Sequence, residues 1–263
     1  MKADKVIDHI VAWLTGYAQK AHSKGFVIGV SGGVDSAVTS TLAAKTGLPL
    51  LCVEMPIHQD KTQVSRAQNH IEWLINNFPN VSRTEVDLTP VFDSMVNQLP
   101  EVKNEEERWM SLANTRARLR MTTLYYFAAL NGYLVAGTGN KIEDFGIGFY
   151  TKYGDGGVDL SPIADLVKTE VFALGEELGI SNEILVAPPT DGLWGDERTD
   201  EDQIGASYPE LEWAMEYSKN TNSDKATLTE REQEVLGIYT RLNTINQHKM
   251  NPIPICEIPD NTK

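Results

Sequence analysis

The chain reads as an α/β protein built on a mainly parallel sheet. Three observations predict this. Apolar runs of strand length alternate with helix-period segments, the first run feeds a glycine-rich turn that opens a helix, and a later run ends in a second polar, glycine-rich segment. Residues 26–30 are the first expected strand and 50–54 the second, joined by a helix that includes residues 37–44. Residues 65–78 carry Ile71, Leu74, Ile75 and Phe78 on one stripe at helical spacing. A third strand is expected over 82–86, a long helix over 109–130, and a fourth strand over 133–137 leading into the glycine-rich segment 137–157. Further helices are expected over 168–178 and 229–248, the latter opened by Thr229 and Glu232 at capping-box spacing. Residues 1–24 read as an amphipathic helix. No repeat and no Pro/Ser linker interrupts this order, so one domain over residues 1–263 is expected, with 191–207 as a mobile insertion.

A chain of 263 residues can bury a substantial single core. Its net charge of -14 argues against extended nucleic-acid binding, which needs a basic face, but not against a phosphorylated small molecule in a locally basic cleft. The acidic runs at 101–107 and 191–202 read as solvated loops or faces. Without an apolar run of spanning length or a basic-then-apolar leader, no membrane association and a cytoplasmic location are expected. Cys52 and Cys256 suit reduced thiols better than a disulfide framework.

The most informative residues are Gly29, Val30, Ser31, Gly32, Gly33, Val34, Asp35 and Ser36. A strand, a tight turn and a helix in that order aim backbone N–H groups at an anion, where the helix dipole favours phosphate. Asp35 would repel phosphate unless a cation lies between them, so a nucleotide with its metal is the expected ligand. The turn is not a Walker A loop, because no lysine follows the glycines. It formally fits the G-x-S-x-G nucleophile elbow, with Ser31 as nucleophile and His248 as the distal base. It also resembles the SGGxDS loop of ATP pyrophosphatases, which split ATP between the α and β phosphates. A tight structural turn, or a module that binds ATP without turnover, are the remaining readings. In open α/β sheets ligands sit beyond the carboxyl ends of the strands. There the fourth strand delivers Gly137, Thr138, Gly139, Asn140, Lys141, Ile142 and Glu143 toward the same edge.

Residues 137–143, then the run Phe149-Tyr-Thr-Lys-Tyr-Gly-Asp-Gly-Gly-Val-Asp159, then Ser161-Pro-Ile-Ala-Asp-Leu-Val-Lys168, closely resemble the ammonia-ligase-type NAD synthetases. The turn at 29–36, the segment 114–121, Pro189-Thr190 and His248-Lys249 recur in that family's order. The resemblance covers most of the chain and is weakest at 80–105 and after 250. One departure stands out: the run between Glu143 and Tyr153 is one residue longer than in some members. The resemblance implies a Rossmann-like, adenine nucleotide α-hydrolase-like fold. It also implies amidation of deamido-NAD with ammonia and ATP through an adenylate, and a homodimer with deamido-NAD at the interface. Free ammonia is the expected donor, because no residues remain for an amidase domain, unless a separate amidase subunit supplies it.

The same resemblance implies the residue roles. The turn at 29–36 would cradle ATP, with Thr138 and Thr190 as hydroxyl donors and Lys168 opposite the leaving pyrophosphate. Asp35 and Glu143 would bind Mg²⁺. Arg118, Lys152, Asp155, Asp159, His248 and Lys249 would contact deamido-NAD, with Asp35, Lys152 and Lys168 closest to the chemistry. Each has a plain rival reading. Asp35 can equally be read as serving only the helix dipole, Glu143 as a surface acid, and His248 as a helix-end charge. Arg116, Arg118 and Arg120 cannot share one face, since alternate helix positions lie about 200° apart.

Overall fold

The structure, a computed structural model, describes residues 1–59, 61–188, 199–219 and 228–262. It opens with α1 (Ala3–Lys20), β1 (Phe26–Gly29), α2 (Val34–Lys45), β2 (Leu50–Glu54), α3 (Lys61–Asn77) and β3 (Val81–Glu85). Next come α4 (Thr89–Val96), α5 (Glu105–Asn131), β4 (Leu134–Val135) and a π-helix (Lys141–Ile147). The chain continues through α6 (Lys168–Glu177), α7 (Asn182–Leu185), α8 (Asp200–Ile204), α9 (Tyr208–Lys219), α10 (Glu230–Ile245) and α11 (Gln247–Met250).

The strands form one parallel sheet in the order β3-β2-β1-β4. Parallel pairing requires crossover helices, and these cover both faces, which is why β1 and β2 read as nearly unbroken apolar runs. Phe26, Ile28, Leu50 and Cys52 face the layer of α1, α2, α3 and α6, whereas Val27 and Val53 face α4 and α5. This is the three-layer α/β architecture expected. A second cluster joins the π-helix to α8, α9 and α10 through Ile142, Ile147, Tyr208, Leu211 and Val235.

Several expected boundaries move, each for a local reason. The first helix stops at Lys20, and the chain turns at His22 with φ 52°. The helix after the glycine turn begins at Val34, so Asp35 and Ser36 belong to its first turn. The acidic run at 101–107 is partly the first turn of α5. Asn104 caps it by accepting the Glu106 and Glu107 N–H groups, and Glu105–Glu107 complement the positive helix end. β4 is only two residues long, although Ala136 continues the edge through a bridge to Leu160. Ile75 is 37% exposed and leaves the apolar stripe of α3 to Ile71 and Leu74. The last expected helix breaks at Asn246 into α10 and α11. Its Thr229–Glu232 capping box forms as expected.

The acidic run at 191–202 and the expected insertion at 191–207 need correction where they are described. Asp200 is buried and opens the capped helix α8, while Ile204 and Ala206 join the second core cluster. These residues are packed structure, not a solvated loop. Residues 191–198 lie outside the described residues. Helices α4, α7 and α9 have no counterpart in the expected elements.

Among the described residues no helix is long and apolar enough to cross a membrane. Both cysteines are free thiols.

His70 on α3 gives the core an acid-sensitive point. It is 4% exposed, its Nε2 lies 3.0 Å from Ser40 Oγ, and its ring stacks on Trp73. Burial lowers its pKa to about 4. The unfolded chain therefore binds the extra proton first, and stability falls as pH drops from about 6.5 to about 4, flattening outside that window. The expected loss is about 3 kcal/mol, read from urea midpoints across that range. His70→Gln should flatten the curve; an unchanged slope would exclude His70 as its source.

Candidate active site

The turn after β1 is ordered by its own side chains. Gly32 has φ 82°, a left-handed conformation that a side chain would strain. The Ser36 hydroxyl donates to the Gly33 carbonyl at 3.0 Å and accepts from the Ser31 N–H at 3.2 Å. Ser31 Oγ in turn accepts from the Gly33 N–H at 3.3 Å and lies 3.2 Å from Ser36 Oγ. Val30 and Val34 are buried, so they can address a ligand only through their backbones. Arg66 of α3 donates to the Gly32 carbonyl at 3.4 Å and adds a cation beside the turn.

The second segment comes from the neighbouring strand end. Asn140 is fully buried, and its Oδ1 accepts from the Ile142 and Glu143 N–H groups, capping the π-helix. Its Nδ2 donates to Asp35 Oδ1 at 3.2 Å and ties the two segments together. At Gly139 an added Cβ would lie 2.0 Å from the Asp144 carboxylate, so a side chain there would have to displace Asp144.

Lys168, the first residue of α6 and 3% exposed, completes the junction. Its ammonium donates to Asp35 Oδ2 at 2.5 Å and to Glu143 Oε1 at 3.0 Å. Tyr208 Oη donates to the same Glu143 oxygen at 2.5 Å and reaches Asp200 Oδ2 at 3.3 Å. The two acids respond differently. At Asp35 burial outweighs the lysine and raises the carboxyl above its ordinary value. Burial also opposes charge on Glu143, yet Lys168 and Tyr208 together hold it below its ordinary value. For Lys168, the two carboxylates outweigh burial and raise the ammonium further. Glu143 is thus the firmer anion of the pair.

This junction forms part of the wall of a cavity of about 310 Å³, which also includes the glycine turn, Thr138, Asp144 and Asp155. Asp144 is raised well above its ordinary value by burial and by the charges of Glu143, Asp155 and Asp35. Asp155 accepts from the Thr151 N–H at 2.9 Å. It is open to solvent within the cavity, yet the surrounding protein still raises its carboxyl. The site therefore suits a ligand that brings both a polyanion and a cation.

The other expected contacts lie outside that cavity wall. Lys152 Nζ donates to the His248 carbonyl, Arg118 donates to the Lys152 carbonyl at 3.3 Å, and Lys249 Nζ donates to the Gly148 and Tyr150 carbonyls at 2.8 Å. Together they strap α11 onto the 148–153 loop. Asp159 accepts from the Val135 N–H at 2.8 Å and from Tyr125 Oη at 3.1 Å, which fixes the edge of β4. Thr190 lies outside the described residues. The three arginines of α5 part as their spacing requires. Arg116 stacks over Phe92 at 4.5 Å, Arg118 meets the 152 carbonyl, and Arg120 reaches the Met55 carbonyl and Gln59. Ser31 and His248 share no hydrogen bond. The His248 ring instead meets the Ile245 carbonyl at 3.0 Å, so the elbow reading gains no dyad.

Sequence reasoning passed over Asn140, Arg66, Tyr208 and Asp200. Asn140 sat inside a quoted motif without a role, whereas Tyr208 and Asp200 belong to no motif.

A family model described as NAD synthase matches residues 6–253. The NH3-dependent NAD+ synthetase of Carboxydothermus hydrogenoformans is 36% identical over 259 residues, covering 96% of each chain. That of Methanosarcina acetivorans is 32% identical and covers 98% of this chain and 100% of its own. Among solved structures, NMN synthetase from Francisella tularensis superposes with a TM-score of 0.82 at 28% identity, covering 99% of both chains. A conserved-length match of this kind, on a parallel sheet with the glycine turn and Glu143 at one edge, places the chain in the NAD synthase family of carbon–nitrogen ligases.

Proposed function

We propose that the chain converts deamido-NAD to NAD with ammonia and ATP, through an adenylated intermediate, releasing AMP and pyrophosphate. One observation carries this reading. Asp35 and Glu143, from two separate strand ends, converge on a single cation position beside the glycine turn. A carboxylate is a poor acceptor for an amine, because oxide or hydroxide would have to leave. Joining it to the α-phosphate supplies a better leaving group. The protein's part is to hold two anionic nucleotides tail to tail and to offset charge on the phosphorus oxygens.

The backbone N–H groups of residues 29–36 receive the triphosphate, with Thr138 and Thr190 as hydroxyl donors. Asp35 and Glu143 would hold Mg²⁺. Their hard oxygens already share one ammonium, so donor type and convergence suit a small divalent ion. When bound, the ion neutralises charge on phosphate oxygens. Lys168 is the cation for the leaving pyrophosphate. Arg118, Lys152, Asp155, His248 and Lys249 serve the deamido-NAD side, and Asp159 holds its edge. A homodimer belongs to the same proposal, with Tyr126 and Leu130 of α5, 63% and 66% exposed, at the contact. So do a cytosolic location and free ammonia as donor.

The test is a product assay with ATP, Mg²⁺, labelled ammonium and deamido-NAD, with nicotinate mononucleotide alongside because the F. tularensis relative is named for NMN. Labelled NAD, AMP and pyrophosphate are expected; release of ADP would refute adenylation. Because the nitrogen attacks as neutral ammonia, turnover at fixed total ammonium should rise with pH through the neutral range. A flat profile at subsaturating ammonium would argue for another donor.

A further inference from the structure

Glu54 ends β2 and is 4% exposed, yet neither of its carboxylate oxygens receives a hydrogen bond. Its nearest cation, Arg83 Nη2, stands 3.8 Å away, and that arginine also faces Glu72 at 3.6 Å. Gln68 of α3 is close enough to favour the charge slightly without hydrogen-bond geometry. Burial raises the carboxyl above its ordinary value, Arg83 opposes this, and Glu85 adds to it. A buried carboxylate without a hydrogen bond is costly, and Arg83 and Gln68 offset only part of that cost.

Its position suggests what offsets the rest. Glu54 belongs to the wall of the same cavity as the glycine turn. In the β1–β2 pair Val53 is level with Gly29, so Glu54 stands beside the start of the turn, about one strand spacing (about 4.8 Å) away. By strand alternation its side chain shares the face of Cys52, the side covered by α2 and α3. In βαβ nucleotide sites, an acid about twenty residues beyond the glycine turn, at the end of the second strand, takes ribose hydroxyls.

We propose that Glu54 accepts the ribose hydroxyls of a nucleotide whose phosphates lie on the 29–36 turn, and so selects ribonucleotides over 2′-deoxyribonucleotides. This rests on the ATP reading above. A hydroxyl donated to a carboxylate supplies the missing partner, and its loss leaves the acid stranded again.

The experiment compares equilibrium binding of Mg-ATP and Mg-2′-deoxy-ATP to the full chain by calorimetry, with kcat/KM for each in the product assay. The native protein should prefer ATP by roughly 10- to 100-fold, the range for a hydrogen bond to a charged group. In Glu54→Gln and Glu54→Leu that preference should fall to within about threefold, through weaker ATP binding and little change for the deoxy analogue. Glu54→Leu should also melt at a higher temperature, since it removes a buried acid. Should Glu54→Leu fail to fold by circular dichroism, Glu54→Gln and the native preference still decide. ATP bound and turned over with no sugar preference would overturn the role of Glu54 alone. Absence of ATP binding would overturn the nucleotide reading as well.

Discussion

Lys168→Met is expected to lower stability by about 3–5 kcal/mol and to cut pyrophosphate formation by roughly a thousandfold. The side chain stays unbranched, one atom shorter, and loses its charge, so Asp35 and Glu143 are left facing each other without the ammonium that both contact. Breaking one side of a buried ion cluster strands the other, which is why the cost exceeds that of a surface pair. The pH dependence should identify the cause. Without the lysine both carboxyls rise above their unfolded values, so the deficit is small at low pH and grows as pH rises through their folded pKa values. Urea midpoints at several pH values and a pyrophosphate assay measure both effects. Native-like stability at neutral pH would show that the ammonium is dispensable.

Glu143→Gln should separate the chemistry from the scaffold. The amide keeps the volume and one oxygen for Lys168 and Tyr208, so folding should change by no more than about 1–2 kcal/mol. The charge that a divalent ion would need is gone. Turnover is expected to fall by at least about a hundredfold, with the Mg²⁺ concentration for half-maximal rate shifted upward. Mn²⁺ binding followed by electron paramagnetic resonance in the presence of ATP gives a readout independent of turnover. An unaltered metal requirement in this variant would remove Glu143 from the metal site.

The parts of the site legible in the sequence are those set by local chemistry. The glycine turn announces itself because a strand, glycines and a helix start lie within a few residues, and Gly32 does adopt the left-handed backbone. Glu143 is legible because it follows a second strand end. Lys168 was legible as a residue but not as a geometry. Only the packing of α6 shows that its ammonium lies between Asp35 and Glu143. Tyr208 escaped notice because its role is set by α9 packing against the π-helix, far along the chain, with no spacing rule to mark it. Helix α4 carries Pro90 in its first turn, where proline costs no hydrogen bond because those N–H groups have no partner within the helix. The central strands were easy to read because burial on both faces makes them uniformly apolar. β4 was read too long at its end: the ladder with β1 runs over Leu134 and Val135, and Ala136 continues only as a bridge to Leu160.

The wide helical turn at Lys141–Ile147 would give the surplus residue expected between Glu143 and Tyr153 a physical address. A π-helix is what an α-helix becomes when one residue is added without moving its ends. The extra residue is taken up as girth, so Asn140 can still cap the start while Thr151 and Asp155 keep their mutual contact beyond it. Alignments of this chain with shorter relatives should therefore open their gap within 141–147. Placing it later would slide the Thr-Lys-Tyr-Gly-Asp-Gly-Gly string out of register and match Lys152 and Asp155 to the wrong neighbours.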